Sequence, residues 1–438
     1  MNNALIIGNG GREAAIGTRM AESSRLFAFM GHANPTLVSL CESTGGSWAL
    51  GDVCDAASVS AFAQERKIEI AMVSSDNPLE SGVVDSLRAR GIATVGPTRS
   101  GAQIEWDKAF SRRVVDLVAP QANPLYSIVT SESEIDIAIR GFGDRPVVIK
   151  PTGLAGGKGV KVVGPHLADN NQARCYAQEI LASGNHEGVV IEERLDYPEF
   201  TIQAMTDGAN SVFPPPTYDY PYRYDGDIGP GTGGMGSFVL PGLLPFVPER
   251  TYKQACTIIS LVLEYLAGQG RDFSGCMNAG FFATPDGPMV IEFNARFGDP
   301  EAMNIMSILR SDWIETMWSM VNHRLDKINL APEASVVTYL VSPDYCSSEN
   351  RQYRFSVDLD RAIKQGVDVW FSSAVSLGDS YVTLGSSRAL ALAAHAPQLS
   401  QAREAVLGAV ESSVIGPLEY RREIGDPRYI QSLSNLVG

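Results

Sequence analysis

Three stretches of this chain gather residue types that handle phosphate and divalent metal. The first is VVIKPTGLAGGKGV, residues 147–160, where four glycines (Gly153, Gly156, Gly157 and Gly159) lie with Lys150 and Lys158. It is not a Walker A loop. Counting back from Lys158, Thr152 stands where the first glycine is required, and Gly159 replaces the Ser/Thr. A glycine loop between two strands can fold over a triphosphate while lysines neutralise it; an exposed hairpin turn is the plainer alternative. The second stretch is VIEFNARFGDPE, residues 290–301. Glu292 and Asn294 are two apart, so on a strand they share a face. Two oxygen ligands there, with nucleotide phosphates, suit Mg²⁺ or Mn²⁺, and Arg296 continues the face toward a transferring phosphoryl group. The alternative is a solvated face, but Val290, Ile291 and Phe293 mark a largely buried strand, where idle polar groups are costly. The third is GNGGRE, residues 8–13, a strand-to-helix turn whose N–H groups and Arg12 suit an anion. A dinucleotide fingerprint would need glycine where Glu13 stands. A fourth run, 225–236, is so rich in glycine that backbone can approach a ligand closely, unless it is simply a mobile loop.

The elements that must position these groups follow from periodicity. Residues 4–7, 26–29, 70–73 and 92–95 read as strands, alternating with helices over 12–22, 56–65 and 80–90, which implies a parallel sheet with crossover helices. A helix follows over about 101–118. Strands are expected at 146–150, 161–163, 188–192 and 200–205, a helix at 249–266, and a hairpin from 277–284 and 289–293. Segment 214–245 carries little periodicity and reads as a functional or disordered loop. Beyond about 326, strands at 336–341, 367–372 and 381–384 and a helix at 398–415 form a smaller α+β piece.

The 438 residues exceed one compact core, and a formal charge of −15 argues against nucleic acid or an anionic membrane as partner. The N-terminus lacks the basic-then-apolar pattern of a signal peptide, and no run is long enough to span a membrane. Six scattered cysteines without a CxxC pair read as reduced, buried thiols of a cytoplasmic protein, and the five histidines do not cluster.

In this order, the segments resemble the ATP-grasp superfamily and, within it, the glycinamide ribonucleotide synthetase family. The likeness covers nearly the whole chain: GNGGRE at 8–13, GPTRSGAQIEWDKAF at 96–110, IKPTGLAGGKGVKVV at 149–163, IEERLDYPEF at 191–200, DGDIGPGTGGMGSF at 225–238, IEFNARFGDPEA at 291–302, GSSRAL at 385–390 and YRREIG at 420–425. It implies a multidomain α/β and α+β chain. An N-terminal Rossmann-like parallel-sheet domain (1–100) would precede an ATP-grasp domain (101–325, with a smaller lid over about 120–195) and a small C-terminal α+β domain (326–438). It also implies the reaction: a carboxylate attacks the γ-phosphate of ATP, and an amine then displaces phosphate from the acyl phosphate. The substrates it implies are glycine and 5-phosphoribosylamine, in purine biosynthesis, with a small-molecule enzyme that is a monomer or dimer.

Residue roles come from the same resemblance. Lys108 and Lys150 would contact ATP phosphates under a lid loop that includes Gly153, Gly156, Gly157 and Lys158. Glu192, Glu193 and Leu195 would line the adenine pocket and Glu199 would bind the ribose. Glu292 and Asn294 would hold the metal, and Arg296, with Lys150 and Asp299, would serve the chemistry. Gly10, Gly11, Arg12, Asp76 and Arg388 would face the phosphoribosylamine, and Glu13, Asp219, Arg223, Thr232, Gly233, Gly234 and Met235 would also bind substrate. Departures gather on the substrate side: Ala14 replaces a histidine, SSDNPL at 74–79 replaces GPEAPL, DYPYR at 219–223 replaces DHKRA, Gly231 replaces an asparagine, DYCS at 344–347 replaces a GYPG-like turn, and Gly280 stands where archaeal members carry a glutamine. They leave open a paralogue that joins another acid or amine, and a nucleotide-binding regulator without turnover.

Overall fold

Alternating apolar runs and amphipathic helices in the first hundred residues build one parallel sheet. A computed structural model describes residues 2–154, 159–385 and 387–436. In it the sheet order is Trp48–Leu50, Ser24–Met30, Asn2–Ile7, Ile70–Val73, Ala93–Val95, every neighbour pair being parallel. Chain order reverses between Asn2–Ile7 and Ile70–Val73. In open sheets of this kind, ligands bind beyond the carboxyl ends of the strands at that switch. Gly8–Arg12 leaves the first of these strands and Ser74–Asp76 the second, so two of the singled-out segments are neighbours there.

Several local expectations shift. A helix Pro35–Ser43, capped by Asn34, and the strand Trp48–Leu50 are additional. The helix expected over 80–90 is two short ones, Asp76–Glu80 and Val83–Arg88, separated by Gly82 at φ 77°. The helix expected over 101–118 breaks at Asp107, whose carboxylate caps a new helix Lys108–Val118 by accepting from Phe110 N at 2.8 Å. Lys108 thereby opens a helix instead of lying within one.

Residues 126–193 form a four-stranded sheet in the order Tyr126–Val129, Val189–Glu193, Val147–Pro151, Lys161–Val162, with antiparallel pairing throughout. Helices Glu132–Phe142 and Asn170–Ser183 pack on it around Ile135, Ile149, Ile180 and Ile191. The largest sheet runs Gly287–Asn294, Gly275–Thr284, Glu199–Thr206, Thr217–Asp219, Gly236–Val239, Ala334–Val341, Arg388–Ala396, Asp368–Phe371, with Ser211–Val212 as a ninth strand beside Glu199–Thr206. It continues without interruption across residue 326. Segment 214–245 is therefore not a plain loop. Two of its strands lie inside this sheet, and Tyr222–Tyr224 with Ile228–Gly231 make a two-stranded ribbon. The cysteines are not uniformly buried, since Cys175 is exposed. Among the described residues no helix is long and apolar enough to cross a membrane.

Candidate functional site

The switch-point loops, the start of helix Lys108–Val118, the four-stranded sheet and the large sheet enclose one cleft of about 470 Å³. Of the singled-out residues, Arg12, Asp76, Lys108, Lys150, Glu192, Glu199, Asp219, Thr232, Gly233, Glu292, Asn294, Arg296, Asp299 and Arg388 line it.

Two lysines stand on its cationic wall. Lys108 Nζ donates to Gly153 O at 2.8 Å, and burial together with nearby Lys150 holds its pKa below the ordinary lysine value despite Glu292. Lys150 Nζ lies 2.7 Å from Glu192 Oε2 and also donates to Ile291 O at 3.3 Å. A bulge explains that last contact. Gly280 pairs with Glu292 but Phe281 pairs with Val290, so Ile291 is the extra residue. Bulges bend a strand and re-aim its groups. Here the freed carbonyls of Val290 and Ile291 accept from Arg112 Nη1 and Nη2, both at 2.9 Å.

Beyond the bulge, Glu292 is exposed to the cleft and, among the described residues, makes no ion pair. Asn294 Nδ2 lies 3.4 Å from Glu292 Oε1, and Asn294 Oδ1 accepts from Arg296 Nη2 at 3.2 Å. Among the described residues no three His, Cys, Asp or Glu side chains form a metal cage. Two oxygen donors on one face nevertheless fit Mg²⁺, which keeps waters and takes other ligands from phosphates. Arg296 is fixed by Glu105 Oε1 at 3.1 Å and by Phe297 O at 3.1 Å. Glu105 is buried and also accepts from Ala295 N at 2.8 Å. Glu199 opens on the cleft yet is crowded by protein. Burial and the charge of Glu292 push its carboxyl up to about 7.

On the opposite side Arg12 donates to Glu13 Oε1 (2.7 Å), Phe297 O (3.1 Å) and Ser75 Oγ (3.1 Å). Burial would raise the Asp76 carboxyl, but Arg296 and Arg12 outweigh it and hold it below the ordinary carboxylate value. Arg388 reaches in from its strand. It pairs with Asp299 Oδ2 at 2.9 Å, donates to Gly234 O at 3.0 Å and bonds Gly233 O. Tyr339 OH donates to Asp299 Oδ1 at 2.6 Å. Asp219 and Glu301 lie together, and burial followed by mutual repulsion raises Asp219 well above the ordinary value.

The other described residues expected to make contacts are not among those that line the cleft. Glu13 is 2% exposed and braces Arg12. Gly11 packs so tightly that a Cβ would lie 2.5 Å from both Met303 Cε and Tyr339 OH. Gly10 donates to Glu13 Oε2. Glu193 Oε1 accepts from Leu125 N at 2.8 Å. Met235 is buried with Val341 and Tyr345. Arg223, buried, pairs with Glu419 at 2.5 Å and is not among the cleft residues. Neither Gly153, Leu195 nor Gly234 lines the cleft, whereas Gly156, Gly157 and Lys158 fall outside the described residues. Glu105, Arg112, Thr201, Asn278 and Glu301 line it without having been anticipated. Period-two spacing from Glu199 to Thr201 and from Asn278 to Gly280 was the signal available; nothing local marked Arg112 as the partner of Glu192.

The N domain and the ATP-grasp (A) domain of phosphoribosylglycinamide synthetase match residues 2–105 and 106–302. The phosphoribosylamine–glycine ligase of Methanobrevibacter smithii is 36% identical over 424 residues, 96% of this chain and 95% of that protein. That of Thermococcus kodakarensis is 37% identical over 434 residues, 99% and 98% of the two chains. In fold, the crystal structure of phosphoribosylamine–glycine ligase from Thermotoga maritima matches with TM-score 0.80 at 23% identity, covering 96% of this chain and 100% of that one. Biotin carboxylase from Campylobacter jejuni matches with TM-score 0.73 at 14% identity, covering 99% and 98%. With both domain models matched and the full-length relatives sharing more than a third of their residues, the chain belongs to the phosphoribosylglycinamide synthetase family and has the ATP-grasp fold.

Proposed function

We propose that this chain is an ATP-dependent carboxylate–amine ligase that joins glycine to 5-phosphoribosylamine. One observation carries the reading. The lysines and carboxylate that suit a metal–triphosphate share a single cleft with an arginine at the switch point of the N-terminal sheet. Lys108 and Lys150 bind the phosphates, with Glu192, Glu193 and Leu195 toward the base and Glu199 toward the ribose. Glu292 and Asn294 hold Mg²⁺ or Mn²⁺, which supplies charge neutralisation when bound. The glycine carboxylate takes the γ-phosphoryl group, its oxygen forming the new bond as ADP leaves. Arg296 compensates charge on that group. The amine nitrogen of the second substrate then bonds to the acyl carbon, phosphate departs, and the amine loses a proton. Asp219, Thr232, Gly233 and Asp299 line the acid's side, and Arg12, Asp76 and Arg388 the phosphorylated amine's side. The net charge of −15 favours small molecules over nucleic acid, and we place the enzyme in the cytoplasm as a monomer or dimer.

The test is ADP release by purified protein with ATP and Mg²⁺. Glycine and 5-phosphoribosylamine together should stimulate it strongly. A different acid or amine doing so in their place would move the chain to a paralogous reaction, a reading favoured by Pro221 on the cleft wall where a charged side chain would alter acceptor recognition. Nucleotide binding without ADP release under any pairing would make it a regulator.

A further inference from the structure

Arg12 is gripped on three sides, by Glu13, Phe297 O and Ser75. The Ser75 hydroxyl in turn donates a hydrogen bond to Glu13 Oε1 at 3.0 Å, and Glu13 Oε2 accepts from Gly10 N at 2.9 Å. Arg12, Ser75 and Glu13 thus close a ring that is tied to the glycine loop. Gly8 makes room for it. At φ +118°, a Cβ there would lie 2.8 Å from Glu13 Cγ and 3.1 Å from Ser75 Oγ. Ser75 belongs to one strand end at the sheet's switch point and Arg12 to the other. Because the ring spans both, it fixes the guanidinium relative to both edges of the crevice.

Donor counting says what the ring leaves over. A guanidinium has five N–H groups. Among the described residues three are used, one each on Nε, Nη1 and Nη2, so one remains on each Nη. Such a pair matches two oxygens of a phosphate. Helix Gly11–Ala21 begins at the same point, and its amino end favours an anion of high charge.

We propose that Ser75 and Glu13 are positioning residues that aim Arg12, so that its two remaining N–H groups receive the phosphate monoester of the acceptor amine. The inference rests on the function proposed above. It makes residue 75 a determinant of acceptor affinity although its side chain does not touch the ligand.

The experiment compares Ser75→Ala, Ser75→Thr, Glu13→Gln and Arg12→Ala with the parent enzyme. It reads KM for ATP and for 5-phosphoribosylamine formed in place from ribose 5-phosphate and ammonia, with thermal unfolding as a fold control. Ser75→Ala should raise the acceptor KM about tenfold, since a hydrogen bond to a charged group is lost, while the ATP KM moves less than about twofold. Ser75→Thr, which keeps the hydroxyl, should restore most of the affinity. Glu13→Gln should follow Ser75→Ala. An Ser75→Ala enzyme with the parent's acceptor KM, beside an Arg12→Ala enzyme whose acceptor KM has risen, overturns the inference alone. Equal rises in both KM values without rescue by threonine also overturn it, because that is what general loosening produces. An Arg12→Ala enzyme with an unaltered acceptor KM overturns both the inference and the placing of the phosphorylated amine.

Discussion

Arg112 and Glu192 face each other in a bidentate ion pair, with Nε–Oε1 at 2.6 Å and Nη2–Oε2 at 2.7 Å. Lys150 takes the same carboxylate at 2.7 Å. All three groups are nearly inaccessible to solvent. Burial would raise the Glu192 carboxyl, but Arg112 and Lys150 outweigh it and hold it below the ordinary value. Arg112 also binds the two carbonyls freed by the bulge at Ile291. Through Arg112 and Lys150, a single carboxylate therefore ties the four-stranded sheet, the Lys108–Val118 helix and strand Gly287–Asn294 together.

Glu192→Gln should cost about 3–5 kcal/mol of stability, the range for breaking a buried ion pair from one side. It should also raise the KM for ATP, because Lys150 loses the partner that fixes it. Thermal unfolding and steady-state kinetics measure the two effects. A fully stable variant with normal ATP affinity would show that the triad has no part in holding the cleft.

Glu292→Ala should lower ADP release about a hundredfold or more and leave the melting temperature nearly unchanged, because the side chain is exposed and makes no ion pair among the described residues. Near-normal turnover across a range of Mg²⁺ concentrations would remove Glu292 from the metal site.

Glu199 gives the protein a titration near neutrality. Its carboxyl is raised to about 7 by burial and by Glu292, so the folded state binds a proton there that the unfolded state has already lost. Stability from this group is complete below the ordinary glutamate pKa and is lost as pH rises through about 7. In nucleotide-free protein, the melting temperature should fall from pH 5 to pH 8 by more in the parent than in Glu199→Gln. Mg²⁺ beside Glu292 should shrink that difference, since a cation there relieves the repulsion. Parallel pH profiles for the two proteins would contradict the assignment.

Arg388 and Asp299 should behave as one unit. Their ion pair at 2.9 Å also anchors Gly233 and Gly234. Each alanine variant should raise the KM for the acid or the amine more than that for ATP. The double variant should fall short of additivity by about 0.5–3 kcal/mol, as groups in contact do. Strict additivity in a double-mutant cycle would mean that the pair is not coupled in the working enzyme.

Thiol labelling should single out one position. Cys175 is exposed, whereas Cys41 and Cys276 are buried; burial, aided by Glu42, pushes the Cys41 thiol up to about 12. Native protein should modify Cys175 first and leave those two untouched until unfolding. Early labelling of Cys41, located by mass spectrometry, would overturn this order.

Local pattern alone determined the parallel sheet of the first hundred residues, the strand of 70–73, the helix of 56–65 and the face shared by Glu292 and Asn294. Each depends on a period of two or 3.6 residues, which the sequence carries by itself. It also determined the chemistry on offer, since glycine spacing with two lysines, and a carboxylate with an amide on one face, can be read without knowing what lies opposite. Partnership was decided only in three dimensions. Glu192 and Arg112 are 80 residues apart, as the hydrogen bond between them records, and Arg12 and Phe297 are 285 apart. Nothing in the local spelling of Glu13 separates a brace from a ligand contact; that depends on Ser75 arriving from another strand. The bulge at Ile291 and the break at Asp107 are equally nonlocal in consequence. Each costs a regular hydrogen bond, which is offset only because Arg112, Lys150 and a helix cap take up the freed groups.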